Sequence, residues 1–213
     1  MLTEERIEQN KQTFIGLINS ITRDGARKSE LISKLENSDF FTAPASTKYH
    51  ASYAGGLCEH SLNVYNSAVK LVEAFNLTDV ISSDSLLITC LLHDISKMNF
   101  YETSYRNKKQ YSDYGSKHDD GGRFDWVVEK SYAVIPEENR FLYGNHEETS
   151  EFMIRSYMPL SYEESVAILH HHAGMSWDCA KDNLSAILNR YPLATILHLA
   201  DMASCYILER INE

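Results

Sequence analysis

Apolar residues recur at intervals of three and four along most of this chain, which is the pattern of amphipathic helices. The chain lacks the alternation of helices with short apolar strands that would indicate a parallel sheet. The pattern therefore predicts an all-α fold. The predicted helices cover residues 3–21, 26–37, 56–75, a run from Ser82 or Ser83 to Asp94, 145–157, 161–172 and 191–209. Asn145 and Glu148 are predicted to form a capping box, Pro192 to open the last helix, and residues 173–174 to stop the helix before them.

The stretch 98–120 interrupts this pattern, because it is polar, rich in tyrosine and without a clear period. Two interpretations stay open at this point: a short β-hairpin at about 100–118, or an irregular excursion from the helical fold. The segment Trp126-Val127-Val128 marks a further short element.

The length of 213 residues fits one domain, or one domain with an added helical segment. Residues 1–40 are predicted to form an N-terminal helical extension packed on the core, and residues 41–213 the main domain. The extension either covers the core of one chain or pairs two chains into a homodimer. The sequence favours neither arrangement.

The composition predicts an ordinary soluble core, with 43% hydrophobic and 23% charged residues. No apolar stretch is long enough for a membrane span, and no basic-then-apolar start indicates a signal peptide. The four cysteines are far apart in the sequence, which favours free thiols in a reducing, cytoplasmic compartment. A net charge of −10 argues against a stable nucleic-acid partner and against an anionic membrane.

Histidine and aspartate side chains interrupt the apolar stripes of three predicted helices. His60 aligns with Leu57 and Val64 on one helix, and the pair His93-Asp94 ends another. Asp201 shares the apolar face of the last helix. A lone buried histidine is usually a hydrogen-bonded core residue, but several inward-facing His and Asp side chains are satisfied together by a divalent cation.

These residues, in this order, resemble the H…HD…D pattern of the HD superfamily of metal-dependent phosphohydrolases. The flanking segments are similar as well: Gly55 to Leu62 around the first histidine, His93-Asp94-Ile95-Ser96-Lys97, and Leu197 to Asp201. The resemblance extends from about residue 48 to 208. It implies an HD-domain helical bundle in which His60, His93, Asp94 and Asp201 hold a metal ion.

Some members of this superfamily hold a second metal through two further histidines, and the resemblance places His146 at one of these positions. The run His170-His171-His172 resembles the other, and an ungapped alignment selects His171. For His170 and His172, an exposed position at a helix end is an equally good interpretation. His198, one turn before Asp201, is assigned to packing ahead of a supporting role at the metal.

The resemblance implies hydrolysis of a phosphate ester by a metal-activated water. One or two ions of Mn, Fe, Mg, Ni or Zn suit this ligand set, and would polarise the phosphoryl oxygens and lower the pKa of a bound water. Asp94 and Lys97 are the predicted catalytic residues. The predicted substrate-binding residues are Lys97, His50, Tyr53 and Arg106, although packing for His50 and Tyr53 and a solvated loop for Arg106 are the competing interpretations.

The sequence is compatible with three functions. A small phosphorylated substrate, such as a nucleotide, fits the acidic net charge best. A phosphodiesterase or exonuclease acting on a cyclic nucleotide or on short single-stranded nucleic acid would use the tyrosines of 98–120 as a stacking platform. The third alternative is a metal- and nucleotide-binding module without turnover.

Overall fold

The computed structural model describes residues 2–141, 143–172 and 184–209. Within these ranges the fold is mostly helical, with one small antiparallel sheet inserted between the fourth and fifth helices. The α-helices are α1 (Glu4–Ser20), α2 (Lys28–Glu36), α3 (Gly56–Ala74), α4 (Ser83–Leu92), α5 (His146–Arg155), α6 (Tyr162–Leu169), α7 (Leu184–Arg190) and α8 (Pro192–Ala203). The strands are β1 (Tyr101–Tyr111), β2 (Lys117–Asp119) and β3 (Gly122–Val134).

Helix α4 is the centre of the packing. Every residue from Leu86 to Leu92 is buried, as expected for a helix that is apolar all round. One apolar cluster on α4 joins α1, α2 and α3, and includes Phe14, Ile18 and Leu35. A second cluster joins α3 and α4 to α8. Helices α1 and α2 thus pack into the same core as the later helices. The predicted domain boundary at residue 40 stays a prediction.

Two glycines fix the start of α3, the helix that carries His60. Gly55 has a φ of +83°, a left-handed conformation that side chains rarely adopt. A Cβ on Gly56 would lie 2.0 Å from the carbonyl oxygen of Ala51, so the preceding loop packs directly against the helix. This close approach brings residues 45–53 alongside the first turns of α3.

The sheet extends further than the sequence predicted. Strand β1 pairs with β3 along its whole length, from Tyr101 opposite Val134 to Tyr111 opposite Phe124, and β2 adds to the other edge of β3. The fold is therefore mainly α with a three-stranded sheet over 101–134, rather than all-α with a hairpin at 100–118. Both faces of the sheet are largely exposed, so no alternation of apolar and polar residues marked the strands.

The end of α6 and the form of the last turn of α8 differ from the sequence prediction. Helix α6 ends at Leu169, and the three following histidines lie in a turn, because the Nδ1–H of His171 donates to the Ile168 carbonyl (2.7 Å) that a further helical turn would use. Helix α8 continues to Leu208 as a π-helix. The stop predicted at residues 173–174 and the cysteine at position 179 lie outside the described residues.

The starts of the predicted helices lie within two residues of those in the structure, whereas α7 was not predicted. Asn145 and Glu148 form the predicted capping box of α5, Ser82 caps α4, and Pro192 opens α8. Cys58, Cys90 and Cys205 are free thiols. Among residues 2–141, 143–172 and 184–209, no single helix is long and apolar enough to cross a membrane. The pair Leu184–Arg190 and Pro192–Leu208 meets the length and composition only when joined across a bend of 106°.

Candidate metal centre

Five histidines and two aspartates converge where α3, the end of α4, the start of α5, the turn after α6 and the last turn of α8 meet. They form two clusters that share one aspartate. The first cluster consists of His60, His93, Asp94 and Asp201, and the second of Asp94, His146, His171 and His172.

The first cluster is buried and compact. The Nε2 of His60 lies 3.2 Å from Oδ1 of Asp201, 3.6 Å from Oδ2 of Asp94 and 3.3 Å from Nε2 of His93. The Nε2 of His93 is 3.5 Å from Oδ2 of Asp94 and 4.0 Å from Oδ1 of Asp201. Ligand atoms held at about 2.1 Å around one cation are separated by roughly 3 to 4 Å, so these five separations fall in the range that a shared cation requires.

The second cluster faces the other oxygen of Asp94. Asp94 Oδ1 lies 3.7 Å from Nε2 of His146 and 3.8 Å from Nε2 of His171. All three atoms are buried without a hydrogen-bond partner. Buried polar atoms are rarely unpartnered. Three such atoms that face one point are better explained by a cation bound between them than by packing. The Nε2 of His172, the fourth member of the second cluster, lies 3.7 Å from Oδ2 of Asp201.

Hydrogen bonds orient four of the five imidazoles, and an ion-pair contact with Glu147 orients His146. In each ring, Nδ1 faces a carboxylate or a backbone carbonyl, which can only accept, so Nδ1 carries the proton and Nε2 faces the cluster. This is the usual arrangement around metal-binding histidines. The Nδ1 partners are Glu209 for His60 (3.0 Å), the Cys90 carbonyl for His93 (3.0 Å), Glu147 for both His146 and His172 (3.0 Å each) and the Ile168 carbonyl for His171 (2.7 Å).

Charges in the first cluster stabilise each other. Burial alone would lower the pKa of His60, but Glu209 and Asp201 outweigh it and raise this pKa to about 10. Burial likewise opposes ionisation of Asp201, yet His60 holds its pKa below the ordinary range. In the protein alone, His60 is therefore an imidazolium that donates to both Glu209 and Asp201.

In the second cluster, the pKa of His171 is shifted in the opposite direction from that of His60. Burial, followed by the neighbouring His172 and His93, lowers the pKa of His171 well below its ordinary value. Its Nε2 thus keeps a free lone pair at neutral pH. The donors on both sides are imidazole nitrogens and carboxylate oxygens without thiolate, which suits Mn, Fe, Mg, Ni or Zn. On spacing, unpartnered atoms and donor type, the residues fit divalent cations.

The other predicted site residues lie at different distances from the clusters. Lys97 donates to Oδ2 of Asp94 (2.6 Å), and the ring of His50 lies 5.1 Å from that of His60. Tyr53 donates instead to Glu59 (2.6 Å), and Arg106 on β1 pairs with Glu129 (3.2 Å). Tyr53 and Arg106 line a neighbouring cavity, and neither bonds to a cluster residue within the described ranges.

Two titratable groups next to the site differ in their charge at neutral pH. Burial would lower the pKa of Lys97, but Asp94 raises it above its ordinary value, so the ammonium is retained. Burial and the nearby His60 lower the pKa of His50 to about 4, which leaves it a neutral imidazole.

Sequence reasoning missed the two glutamates that orient the histidines. Glu147 follows His146 directly in the first turn of α5, where an acidic residue is common for electrostatic reasons alone. Glu209 follows the π-helix, where α-helical spacing no longer applies. Ser96 also has a role that the sequence did not predict, since its hydroxyl donates to the His146 carbonyl (3.0 Å) and accepts from Ser150 (2.9 Å). His198 donates to the backbone carbonyl of His171 (2.8 Å), which supports the turn.

A cleft of about 330 Å³ opens beside the second cluster. Lys97 and His146 lie at its inner end, and Phe100, Tyr101 and Phe141 provide aromatic walls. Arg140 also lines the cleft, held by the Ile135 carbonyl (2.7 Å) and by the Phe100 ring, whose centroid is 5.6 Å from its guanidinium carbon.

Comparison with known proteins agrees with this geometry. The family model for the HD domain matches residues 57–204, which include all six predicted ligands. Neither the curated proteins nor the solved structures contain a match to the chain. A match over most of the chain, together with the two clusters, shows that this chain belongs to the HD superfamily of metal-dependent phosphohydrolases.

Proposed function

We propose that this protein hydrolyses a phosphate ester of a nucleotide or a similarly small phosphorylated compound. The observation that carries the proposal is the position of Asp94: its two oxygens face separate clusters, and the second cluster adjoins a cleft of nucleotide size through His146. Ligand pockets of about 300 to 1,000 Å³ accommodate molecules of this class.

The proposed ligands follow from the two clusters. His60, His93, Asp94 and Asp201 would hold one cation, and Asp94, His146 and His171 a second, with His172 beside them. When bound, such cations polarise phosphoryl oxygens and lower the pKa of water, which supplies a nucleophile near neutral pH.

The chain's own residues place the substrate. Lys97 lies between Asp94 and the cleft, and its retained ammonium can donate to a phosphoryl oxygen. Since Lys97 also holds Asp94, it fixes the bridging carboxylate in one orientation. His50 is neutral beside His60 and provides a hydrogen-bonding group on the first-cluster side. The aromatic walls and Arg140 would take the organic part of the substrate.

The experiment combines metal content with phosphate release. Protein purified without a His tag or chelator is analysed for metals, and phosphate release is measured from a panel of nucleoside monophosphates with added Mn²⁺. The variants are His93→Ala and His171→Ala, and His118→Ala, an exposed histidine on β2, is the matched control.

We expect two metals in the wild type and in the control, one metal after loss of His171, and phosphate release that depends on both clusters. A wild-type protein that binds no metal even after Mn²⁺ is added back, and releases no phosphate, would leave the non-catalytic binding module as the better description.

A second candidate function is supported by the sheet. The register places Tyr105 and Tyr111 of β1 on the same face as Phe124 and Trp126 of β3, so an aromatic surface runs outward from Tyr101 at the cleft. Such a surface suits stacking of successive bases. Phosphodiester cleavage of a short single-stranded oligonucleotide, compared directly with the monophosphate panel, tests this alternative.

A further inference from the structure

The end of α8 presents Asp201, Cys205 and Glu209 to the first cluster, each four residues after the last. Asp201 belongs to the cluster, and Glu209 accepts from His60 (3.0 Å). Cys205 lies between them on the π-helix Ser204–Leu208, which follows α8 directly. Single turns of π-helix are often found at functional sites. The half-buried thiol of Cys205 is thus held on the side of the helix that serves the first cluster.

The sulfur of Cys205 lies at ligand spacing from the donor atoms of this cluster. Its Sγ is 3.4 Å from Oδ1 of Asp201, the same oxygen that lies 3.2 Å from Nε2 of His60. An oxygen at about 2.1 Å and a thiolate sulfur at about 2.3 Å from one cation are separated by roughly 3.1 to 3.6 Å. In the protein alone, the thiol donates its proton to Asp201. A cation bound to Asp201 would therefore find the sulfur within reach.

A second observation points to a ligand in the same space. One ring nitrogen each of His50 and His60 and the sulfur of Cys205 all lie within 4.8 Å of one another. The Nε2 of His50 is buried and has no hydrogen-bond partner among the residues that the structure describes. Because buried polar atoms are rarely unpartnered, this nitrogen indicates that a cation, or a water bound to it, belongs next to these side chains.

We propose that Cys205 is a further ligand of the first cation and makes this site selective for a thiophilic ion such as Zn²⁺ over Mg²⁺ and Mn²⁺. The four side chains of the second cluster are a carboxylate and imidazoles, which do not impose this preference. Five protein ligands leave one position of an octahedron for a water. The inference rests on the proposed cation site and deepens it, and it does not depend on which substrate is hydrolysed.

Binding of the sulfur replaces its proton by the cation. The proton passes to solvent, and the thiolate adds one negative charge to the ligand set. Mn²⁺ and Mg²⁺ suit oxygen ligands and not soft sulfur, so with these ions the thiol keeps its proton and continues to donate to Asp201.

The test is the absorption spectrum of the full-length protein titrated with Co²⁺. This ion substitutes for Zn²⁺ and shows a near-ultraviolet charge-transfer band when a thiolate binds it. Cys205→Ser replaces only the sulfur, and Cys205→Ala is a second variant without any donor atom. His60→Ala and His171→Ala show which of the two cations produces the band. The controls are single alanine variants of the other cysteines, at positions 58, 90 and 179.

We expect the band in the wild type, in the cysteine controls and in the His171 variant, and its loss from both Cys205 variants and from the His60 variant. The Cys205 variants should still bind Co²⁺, while competition experiments show their preference for Zn²⁺ over Mn²⁺ reduced by about tenfold or more. Thermal unfolding without metal checks that the variants are folded.

A Co²⁺-loaded wild type without the band, a band that survives in both Cys205 variants, or an unchanged preference for Zn²⁺ would overturn the inference. A wild type that binds no Co²⁺ would overturn it together with the cation site. Failure of the proposed function is a separate result, namely a protein that binds metal and shows the band but releases no phosphate from the nucleotide panel.

Discussion

The two clusters share Asp94 but differ in how their atoms are satisfied by the protein alone. In the first cluster, the two N–H groups of protonated His60 point at Glu209 and at Asp201, so the chain itself offsets part of the buried negative charge. In the second, Asp94 Oδ1 and the Nε2 atoms of His146 and His171 face one another without a partner. The first cluster therefore contributes to the stability of the fold, whereas the second holds unpartnered atoms that only a ligand satisfies.

The largest expected effect is that of Asp94, since it belongs to both clusters. Asp94→Ala should remove both metals and lower the rate of phosphate release by about a thousandfold or more, because several kcal/mol of charge stabilisation is lost. Elemental analysis and phosphate release check this, with the exposed Asp113→Ala as control. Retention of one metal by the Asp94 variant would show that the carboxylate does not bridge.

His171→Ala and His60→Ala separate the clusters. We expect loss of the second metal alone from the His171 variant, with a smaller loss of thermal stability, because the change removes one hydrogen bond, to the Ile168 carbonyl, together with an unpartnered Nε2. The His60 variant should lose the first metal and also melt at a lower temperature, since Glu209 and Asp201 are left buried without their cationic partner. Metal content and thermal unfolding distinguish the two. Equal destabilisation by both variants would contradict the comparison.

The same contrast explains which parts of the site could be predicted from the sequence. His60 and Asp201 stand on the apolar stripes of regular helices, so their inward direction follows from the helical period. His171 and His172 lie in a turn beyond α6, where that period gives no direction, and both face the site. The choice between them depended on the resemblance, and it stays a prediction.

The remaining features could not be predicted because they depend on tertiary contacts. The strands of the sheet have two exposed faces and so lack the alternation that marks a half-buried strand. Glu209 reaches His60 across 149 residues of sequence, at the end of a π-helix. By contrast, the capping box of α5 is a local interaction, and the sequence predicted it correctly.

The orienting glutamates should have intermediate effects, each on its own cluster. Glu147→Gln removes the carboxylate that holds His146 and His172, and Glu209→Gln the one that holds His60. We expect each variant to lose about 10- to 100-fold in affinity for one metal and little for the other. Metal titration at fixed pH measures both affinities, with Glu138→Gln, an exposed residue, as control. Two variants that weaken the same metal equally would refute the assignment of one glutamate to each cluster.

The smallest expected effect is a difference in proton release. The pKa of His60 is raised to about 10, so this ring is protonated at pH 7 and must lose its proton when its Nε2 binds a cation. The pKa of His171 lies well below its ordinary value, so its Nε2 is already free. Binding of the first metal at pH 7 should therefore release about one proton more than binding of the second. The affinity of the first cluster for its metal should rise by up to about tenfold per pH unit until the pH approaches the pKa of His60. Calorimetry in two buffers of different ionisation enthalpy counts these protons. Equal proton release for both metals would mean that the first cluster is not held together by a proton on His60.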